Sequence, residues 1–335
     1  MVPRNSGSII IKLNFSATIM TERGKVAIIG SGLIGSCWAA LFASAGYPVC
    51  LYDIGEEQLA KARETVKTNL EKLEEEGLSR GSSTAAEALA RITSTTSLSD
   101  ALAGAIYAQE STMESVDFKK RIFKDMDAAA APSTILASST STIPASVFTE
   151  GLQNRSRCLV VHPVNPPLYL TLTELVPAPW TEPSVVDRAY AIMESIGQAP
   201  IRLKKEVLGF AVNRLQYALL AESWRLVKDG VLSVEDVDKV MSEGLGPRYA
   251  FYGPFGVIHL NAAGVRDYCT RYAGGIRRVL DDAGETPTFD EEEVIGELES
   301  SLQRSLPVER MAEHSAERAQ KLAELAKLKR KLKKD

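Results

Sequence analysis

The chain of 335 residues contains only four cysteines and three histidines, and none of its apolar runs reaches the roughly 18 residues needed to cross a bilayer. The cysteines (Cys37, Cys50, Cys158 and Cys269) are scattered, with no CxxC pair and no metal-ligand spacing. Neither a disulfide framework nor a metal site is therefore expected, and reduced thiols of a cytoplasmic protein are the natural reading. A surplus of positive charge is also missing: the 39 Lys and Arg against 43 Asp and Glu give a net charge of −4. That balance argues against nucleic acid as the main partner, because phosphate recognition favours a basic face. Residues 1–23 carry few marks of a targeting segment, a transit peptide being the alternative to a plain extension. Their basic residues are Arg4, Lys12 and Arg23, with one apolar triplet and no small-residue cleavage pattern. They are expected to form an extension outside the folded part, with Met20 as a candidate alternative start. What is present is ordinary for a soluble globular protein, 45% hydrophobic and 24% charged, and long enough for two domains.

The first organised stretch is "KVAIIGSG", Lys25 to Gly32, a β-branched run feeding into glycines. "LIGSCWAALFASAG" then reads as a helix stopped by Gly46, and "YPVCLYDI" as a second strand. Strand, glycine turn, helix and strand make a βαβ unit, whose right-handed crossover implies a parallel sheet. Residues 56–77 have helical spacing of Leu59, Val66, Leu70 and Leu73, while "AIYAQEST", "TILASST" and "CLVVHP" read as further strands. Strands alternating with helices predict an α/β fold, an N-terminal Rossmann-type doubly wound sheet over residues 24–205. From residue 206 to 335 the pattern predicts an all-α domain: a helix ending at Gly230, one opening at the N-cap Ser233, and helices over 257–280 and 289–334. The lysine-rich tail reads as a solvated helix face.

Gly30-Ser31-Gly32-Leu33-Ile34-Gly35 is G-x-G-x-x-G, a weak signal alone but here set between a strand and a helix. Gly30 allows the tight turn, Gly32 the approach of a pyrophosphate, and Gly35 close helix–strand packing. Leu33 and Ile34 open the helix whose free N–H groups and positive end face the phosphates. Asp53 ends the second strand, where a carboxylate accepts from an adenosine ribose diol and repels a 2′-phosphate, so NAD is favoured over NADP. Hydride transfer from an alcohol needs a proton acceptor, and imidazole suits the task. His314 lies in a charged helical stretch expected at the surface, and His259 has the setting of a packed residue in the helical part. His162, in "VVHPVNPPLYLTLTELVP", ends an apolar strand, at the sheet edge where ligands of such folds bind. Glu174, twelve residues on, is the nearest carboxylate able to fix its tautomer. The residues alone leave two roles open for His162, a base or a satisfied structural histidine.

The order GSGLIG, Asp53, "LASSTSTIP", "VVHPVNPP", Glu174 and "GFAVNRLQ" resembles the 3-hydroxyacyl-CoA dehydrogenase superfamily over nearly all of residues 24–280. The resemblance implies that His162 is the catalytic base and Glu174 its orienting carboxylate. It implies that Ser141 and Asn213 hold the reacting oxygen, and that Glu114 and Lys119 line the nicotinamide-ribose end of the site. Taken alone, Ser141 could equally be a loop residue and Asn213 a helix-start residue. The resemblance also implies a homodimer formed through the helical domain.

Departures from the acyl-CoA members are visible as well. Pro163 follows the histidine, Ser139 stands where those members carry an asparagine, and Arg248 in "GLGPRYAFYGPF" has no equivalent there. A guanidinium is suited to bidentate binding of a free carboxylate; an interdomain or subunit ion pair is the alternative for Arg248. The stretches around His162, Asn213 and Arg248 are most similar to the branch of the superfamily that oxidises the C3 hydroxyl of a polar 3-hydroxy acid, L-gulonate. The expected activity is therefore an NAD-dependent dehydrogenase of such an acid. The rivals are a 3-hydroxyacyl-CoA or L-carnitine dehydrogenase and, from another class, an abundant structural protein of the lens that keeps a cofactor site.

Overall fold

The structure is a computed structural model and describes residues 23–332. The expectation of an extension over residues 1–23 falls outside these residues except for Arg23. That residue stacks on the Tyr47 ring, 4.7 Å from its centroid, and is thus part of the fold.

Eight strands form one sheet: β1 (Lys25–Ile29), β2 (Val49–Tyr52), β3 (Ile92–Thr95), β4 (Ala105–Glu110), β5 (Ile135–Ser138), β6 (Cys158–Pro163), β7 (Leu172–Pro177) and β8 (Ala199–Arg202). Their order is β3-β2-β1-β4-β5-β6-β7-β8. Strands β1 to β6 run parallel to their neighbours, but β7 pairs antiparallel with β6 and parallel with β8. The parallel, doubly wound arrangement expected from sequence holds from β1 to β6, and β7 joins it antiparallel because the chain turns straight back over residues 164–171 rather than crossing through a helix.

Both faces of the sheet are covered, which explains why its strands read as nearly unbroken apolar runs. On one face the helix α1 (Leu33–Ser44) is buried from Gly35 to Ser44. It packs Trp38, Leu41 and Phe42 with Val66, Leu70 and Leu73 of the helix Glu56–Glu75. On the other face Phe123 and Met126 of the helix Val116–Ala129 meet Phe148, Leu136 and Val160.

Beyond Arg202 the described residues form helices without further strands. The first is Val212–Lys228. Two of the expected long helices are divided. Residues 257–280 split into Pro254–Leu260 and Val265–Asp282, at Gly264 with φ +96°, a value L residues rarely adopt. Residues 289–334 split into Glu292–Ser305 and Met311–Leu332 around Pro307, which cannot supply a helix-interior N–H. The basic tail is not solvated all round. Ala323 is fully buried in the core formed by α1 and its neighbours, Lys327 pairs with Glu76, and Arg330 Nη1 donates to the Gly77 carbonyl at 2.7 Å. The last helix therefore folds back onto the sheet domain.

Candidate active site

The strand order reverses between β1 and β4, and the glycine turn sits at the carboxyl end of that crevice, the place where open α/β sheets bind ligands. Gly30 has φ +101°, and a Cβ there would lie 2.7 Å from the Ser111 carbonyl oxygen. A Cβ on Gly35 would lie 1.9 Å from the Gly30 carbonyl oxygen, so α1 packs against the turn only because this residue has no side chain. Gly32 is different: its Cβ would meet nothing within 4 Å. The space beside it is open, and α1 begins there without a capping side chain or an acidic residue in its first turn. Its free N–H groups and positive end are left for an anion.

Asp53, just after β2, is anchored by a residue with no signal of its own in the sequence. Its Oδ2 accepts from the Ser31 N–H at 2.9 Å and the Ser31 hydroxyl at 2.7 Å, and its Oδ1 from the Ile54 N–H at 2.8 Å. The carboxylate is thereby fixed beside the turn. An open anion cradle with a carboxylate at the end of the second strand fits an adenine dinucleotide lacking a 2′-phosphate. The cofactor is NAD, and the turn Gly30–Gly35, where Leu33 is exposed and Ile34 half-buried at the helix start, forms with Asp53 a cradle whose chemistry fits it.

At the carboxyl end of β4 a buried ion pair stiffens the crevice wall. Lys119 (1% exposed) contacts both carboxylate oxygens of Glu110 at 3.1 Å, and Glu110 also accepts from the Ser138 hydroxyl (2.5 Å) and from the N–H and hydroxyl of Thr112 (2.7 and 2.6 Å). Each buried charge is thus compensated. Glu110 is not distinguished by any motif in the sequence. Glu114 lies 3.4 Å from Lys119 through Oε2, while its Oε1 accepts from the Thr140 hydroxyl at 2.5 Å and the Ser141 N–H at 3.0 Å. Burial raises the Glu114 carboxyl, but Thr140, the Lys119 ammonium and the Ser141 N–H outweigh it and hold the group below the usual carboxylate range. Glu114, Lys119 and Ser141 are therefore brought together in one cluster.

His162 and Glu174 face each other directly across the antiparallel β6–β7 ladder. His162 is 6% exposed and Glu174 fully buried, with Nδ1 to Oε2 at 2.8 Å. An ionised carboxylate only accepts, so the neutral ring carries its proton on Nδ1 and turns Nε2 outward as an acceptor. The other oxygen of Glu174 accepts the N–H groups of Ala211 (2.8 Å) and Val212 (3.1 Å) at the start of the helix Val212–Lys228. One carboxylate therefore orients the imidazole and also compensates the positive helix end. Phe210, at φ +50° and fully buried, packs its ring 5.7 Å from the imidazole. The Asn213 side-chain amide donates to the Ser141 carbonyl at 2.7 Å, which draws the helix start to the same edge.

Arg248 stands apart from this cluster. It is exposed on the short helix Gly246–Tyr249 and forms neither an ion pair nor a hydrogen bond among the described residues. The other histidines are elsewhere. His259 is exposed rather than packed inside, with Nδ1 accepting from the Val265 N–H at 3.2 Å, and His314 is half-buried beside Glu317. His259 misses the interior because its seven-residue helix turns only Val257 to the core.

Comparison with known proteins points to the same fold and the same cofactor. The family model for the 3-hydroxyacyl-CoA dehydrogenase NAD-binding domain matches residues 25–207, and that for the C-terminal domain matches residues 209–293. Lambda-crystallin of Oryctolagus cuniculus is 44% identical over 312 residues, 92% of this chain and 97% of the relative. L-carnitine dehydrogenase of Streptomyces griseus is 35% identical over 264 residues, 79% of this chain and 75% of the relative. Among solved structures, the NAD+-dependent dismutase 5-formyl-3-hydroxy-2-methylpyridine 4-carboxylic acid 5-dehydrogenase superposes with TM-score 0.78 at 27% identity, covering 91% of this chain and 97% of its own. With both domain models matched in order and a relative of this identity over nearly its full length, the chain belongs to the 3-hydroxyacyl-CoA dehydrogenase family and is an NAD-dependent dehydrogenase.

Proposed function

We propose that the protein oxidises the C3 hydroxyl of a free, polar 3-hydroxy acid, with L-gulonate as the leading substrate, and that His162 is its base. The observation that carries this is the His162–Glu174 pair, buried and hydrogen-bonded at 2.8 Å with Nε2 left as the acceptor. NAD, when bound, supplies the nicotinamide that takes up the hydride from C3. His162 Nε2 accepts the hydroxyl proton, and Glu174 holds the ring in the productive tautomer and stabilises the imidazolium. The Ser141 hydroxyl and the Asn213 amide hold the reacting oxygen. Glu114 and Lys119 border the nicotinamide-ribose end.

Substrate choice rests on Arg248, a cation without a partner of its own among the described residues. We assign it to the substrate carboxylate on the chemistry of its guanidinium, although it stands apart from His162 in the protomer. The rabbit relative is named for its place among crystallins and the bacterial one for L-carnitine. The bacterial name supports a second reading, a 3-hydroxy acid bearing a quaternary ammonium. The test is NADH formation at 340 nm with L-gulonate, L-carnitine and 3-hydroxybutyryl-CoA in parallel, for wild type and Arg248→Met. L-Gulonate should have the highest kcat/KM, and the substitution should raise its KM at least tenfold. A preference for the acyl-CoA, or an unchanged KM, would sink the assignment.

A homodimer belongs to the same proposal. Leu215, Leu219 and Leu220 on the helix Val212–Lys228, together with Phe251, Tyr252 and Phe255, are large apolar side chains left exposed on one protomer. Light scattering at micromolar concentration should give twice the chain mass.

A further inference from the structure

A second polar network lies at the carboxyl edge of the sheet, separate from the His162–Glu174 pair. The Tyr107 hydroxyl donates to Gln109 Oε1. Gln109 Nε2 donates to the Val161 carbonyl at 3.1 Å and to the Ser139 hydroxyl at 2.7 Å, and the Trp38 indole N–H donates to the same hydroxyl at 3.1 Å. Ser139 Oγ in turn lies 2.9 Å from Ser111 Oγ.

The direction of every bond is set by the capacity of each atom. A backbone carbonyl only accepts, so the Gln109 amide must turn its nitrogen toward Val161 and hence toward Ser139. An indole N–H only donates. Tyr107 is fully buried, and burial pushes its phenol well above the ordinary range, so it remains a donor to the amide oxygen. The Ser139 oxygen therefore receives two hydrogen bonds, which uses both of its lone pairs. Its own proton has one place left to go, the Ser111 oxygen. Ser111 accepts that bond and keeps a proton of its own, for which the described residues offer no acceptor.

Ser111 follows β4 and is half-buried. Its N–H donates to the Ile29 carbonyl at 2.8 Å, and its carbonyl oxygen closes on Gly30. It thus lies where the strand order reverses, against the glycine turn. We propose that Ser111 is a cofactor-positioning residue whose hydroxyl, set as a donor by the Tyr107–Gln109–Ser139–Trp38 network, hydrogen-bonds an acceptor oxygen of the bound dinucleotide. The proposal rests on the dinucleotide reading of the crevice and is independent of the substrate. The acceptor belongs to the ADP-ribose portion or to the nicotinamide riboside.

The test is equilibrium binding of NADH by fluorescence titration, with ADP-ribose measured by displacement, for the full chain as wild type, Ser111→Ala and Ser111→Thr. Circular dichroism and a thermal melt of the unliganded proteins accompany it. One lost hydrogen bond corresponds to NADH binding about 3- to 10-fold weaker in Ser111→Ala, and Ser111→Thr, which keeps the hydroxyl, should bind within about twofold of wild type. Equal weakening for ADP-ribose puts the acceptor in that portion, and weakening for NADH alone puts it on the nicotinamide riboside. NADH binding by Ser111→Ala equal to that of wild type overturns the proposal. So does a loss confined to the melting temperature, which would make Ser111 a structural serine. Failure of wild type itself to bind NADH would instead refute the dinucleotide reading.

Discussion

Replacing Glu174 by glutamine changes one atom's chemistry at nearly constant shape, and the hydrogen bonds around that atom determine the outcome. The carboxylate accepts three of them: one from His162 Nδ1 and two from the backbone N–H groups of Ala211 and Val212. An amide has a single acceptor oxygen. Turned toward the helix start it keeps two of the three bonds, and its NH2 group then faces His162 Nδ1. The ring must then move its proton from Nδ1 to Nε2, and Nε2 can no longer take a proton from a substrate hydroxyl. The opposite orientation would press NH2 against two N–H groups in a fully buried position, which costs more. Inverting the tautomer of a catalytic histidine in this manner lowers kcat by about 10⁴ in serine protease triads, or roughly 5 kcal/mol. Losing the charge beside the helix start should cost stability as well, on the order of 1–3 kcal/mol for charge-assisted bonds. The assay is steady-state NADH production with L-gulonate beside NADH titration and urea unfolding. We expect kcat to fall by about 10³–10⁴, with NADH affinity within about twofold of wild type and a lower urea midpoint. A Glu174→Gln enzyme retaining kcat within about threefold would refute the tautomer account, however stability changed.

Other consequences are equally open to measurement. Gly32→Ala and Gly35→Ala should separate binding from folding. The first adds a Cβ to open space and should weaken NADH while leaving the melting temperature within about 2 °C. The second drives a Cβ into the Gly30 carbonyl and should cost about 1–3 kcal/mol in unfolding experiments; equal melts for the two would contradict this. His162→Gln should remove turnover while NADH still binds, and retained kcat would exclude His162 as the base. Burial pushes the Cys37 and Cys158 thiols up to about 12, Cys50 is buried, and Cys269 is exposed. Ellman's reagent should therefore find one fast thiol in the native protein and four after denaturation, and Cys269→Ser should abolish the fast phase. Glu114 and Asp127 are both held below the usual carboxylate range; for each, burial opposes the shift and the hydrogen bonds and cations around it prevail, Thr140 and Lys119 for Glu114 and Arg157 for Asp127. Between the lowered folded value and the ordinary unfolded one the unfolded chain holds more protons, so stability rises with pH. Their contribution should be complete above about pH 5 and shrink as pH falls below 4; urea midpoints independent of pH from 7 to 3.5 would contradict it.

How much of the fold and the site is legible in the sequence differs from residue to residue. The β1–turn–α1–β2 unit is readable because its signals are local: an apolar run, glycines at fixed offsets, and an acidic strand end. The strand Cys158–Pro163 also shows its own limits, an apolar run closed by prolines. β3 and β8 are not visible, since "ITST" and "APIR" are short and half-polar, and only pairing with a neighbour makes them strands. The pairing of His162 with Glu174 depends on the β6–β7 register, which no local pattern states. The residues alone leave His162 between two roles until the resemblance adds a reason to prefer one. Ser31, Glu110 and the Ser111–Ser139 contact carry no pattern of their own: Ser139 shows only as a departure from the acyl-CoA members, and the partners that give each its place lie far off in the chain. Trp38, Tyr107, Gln109 and Ser139 come from three separate stretches of chain and carry no shared spacing. The last helix looks solvated because its lysines dominate its composition, whereas Ala323, small enough for close helix approach, is the residue that docks it.

The central claim is that a hydride leaves C3 of a free 3-hydroxy acid while His162 takes the proton. It is tested most directly by following deuterium from L-[3-²H]gulonate with NAD, analysing the reduced nicotinamide by mass spectrometry. One deuterium per nicotinamide reduced by wild type, with none transferred by His162→Gln, is the expected result. Reduction without deuterium transfer, or transfer undiminished in His162→Gln, would contradict the account.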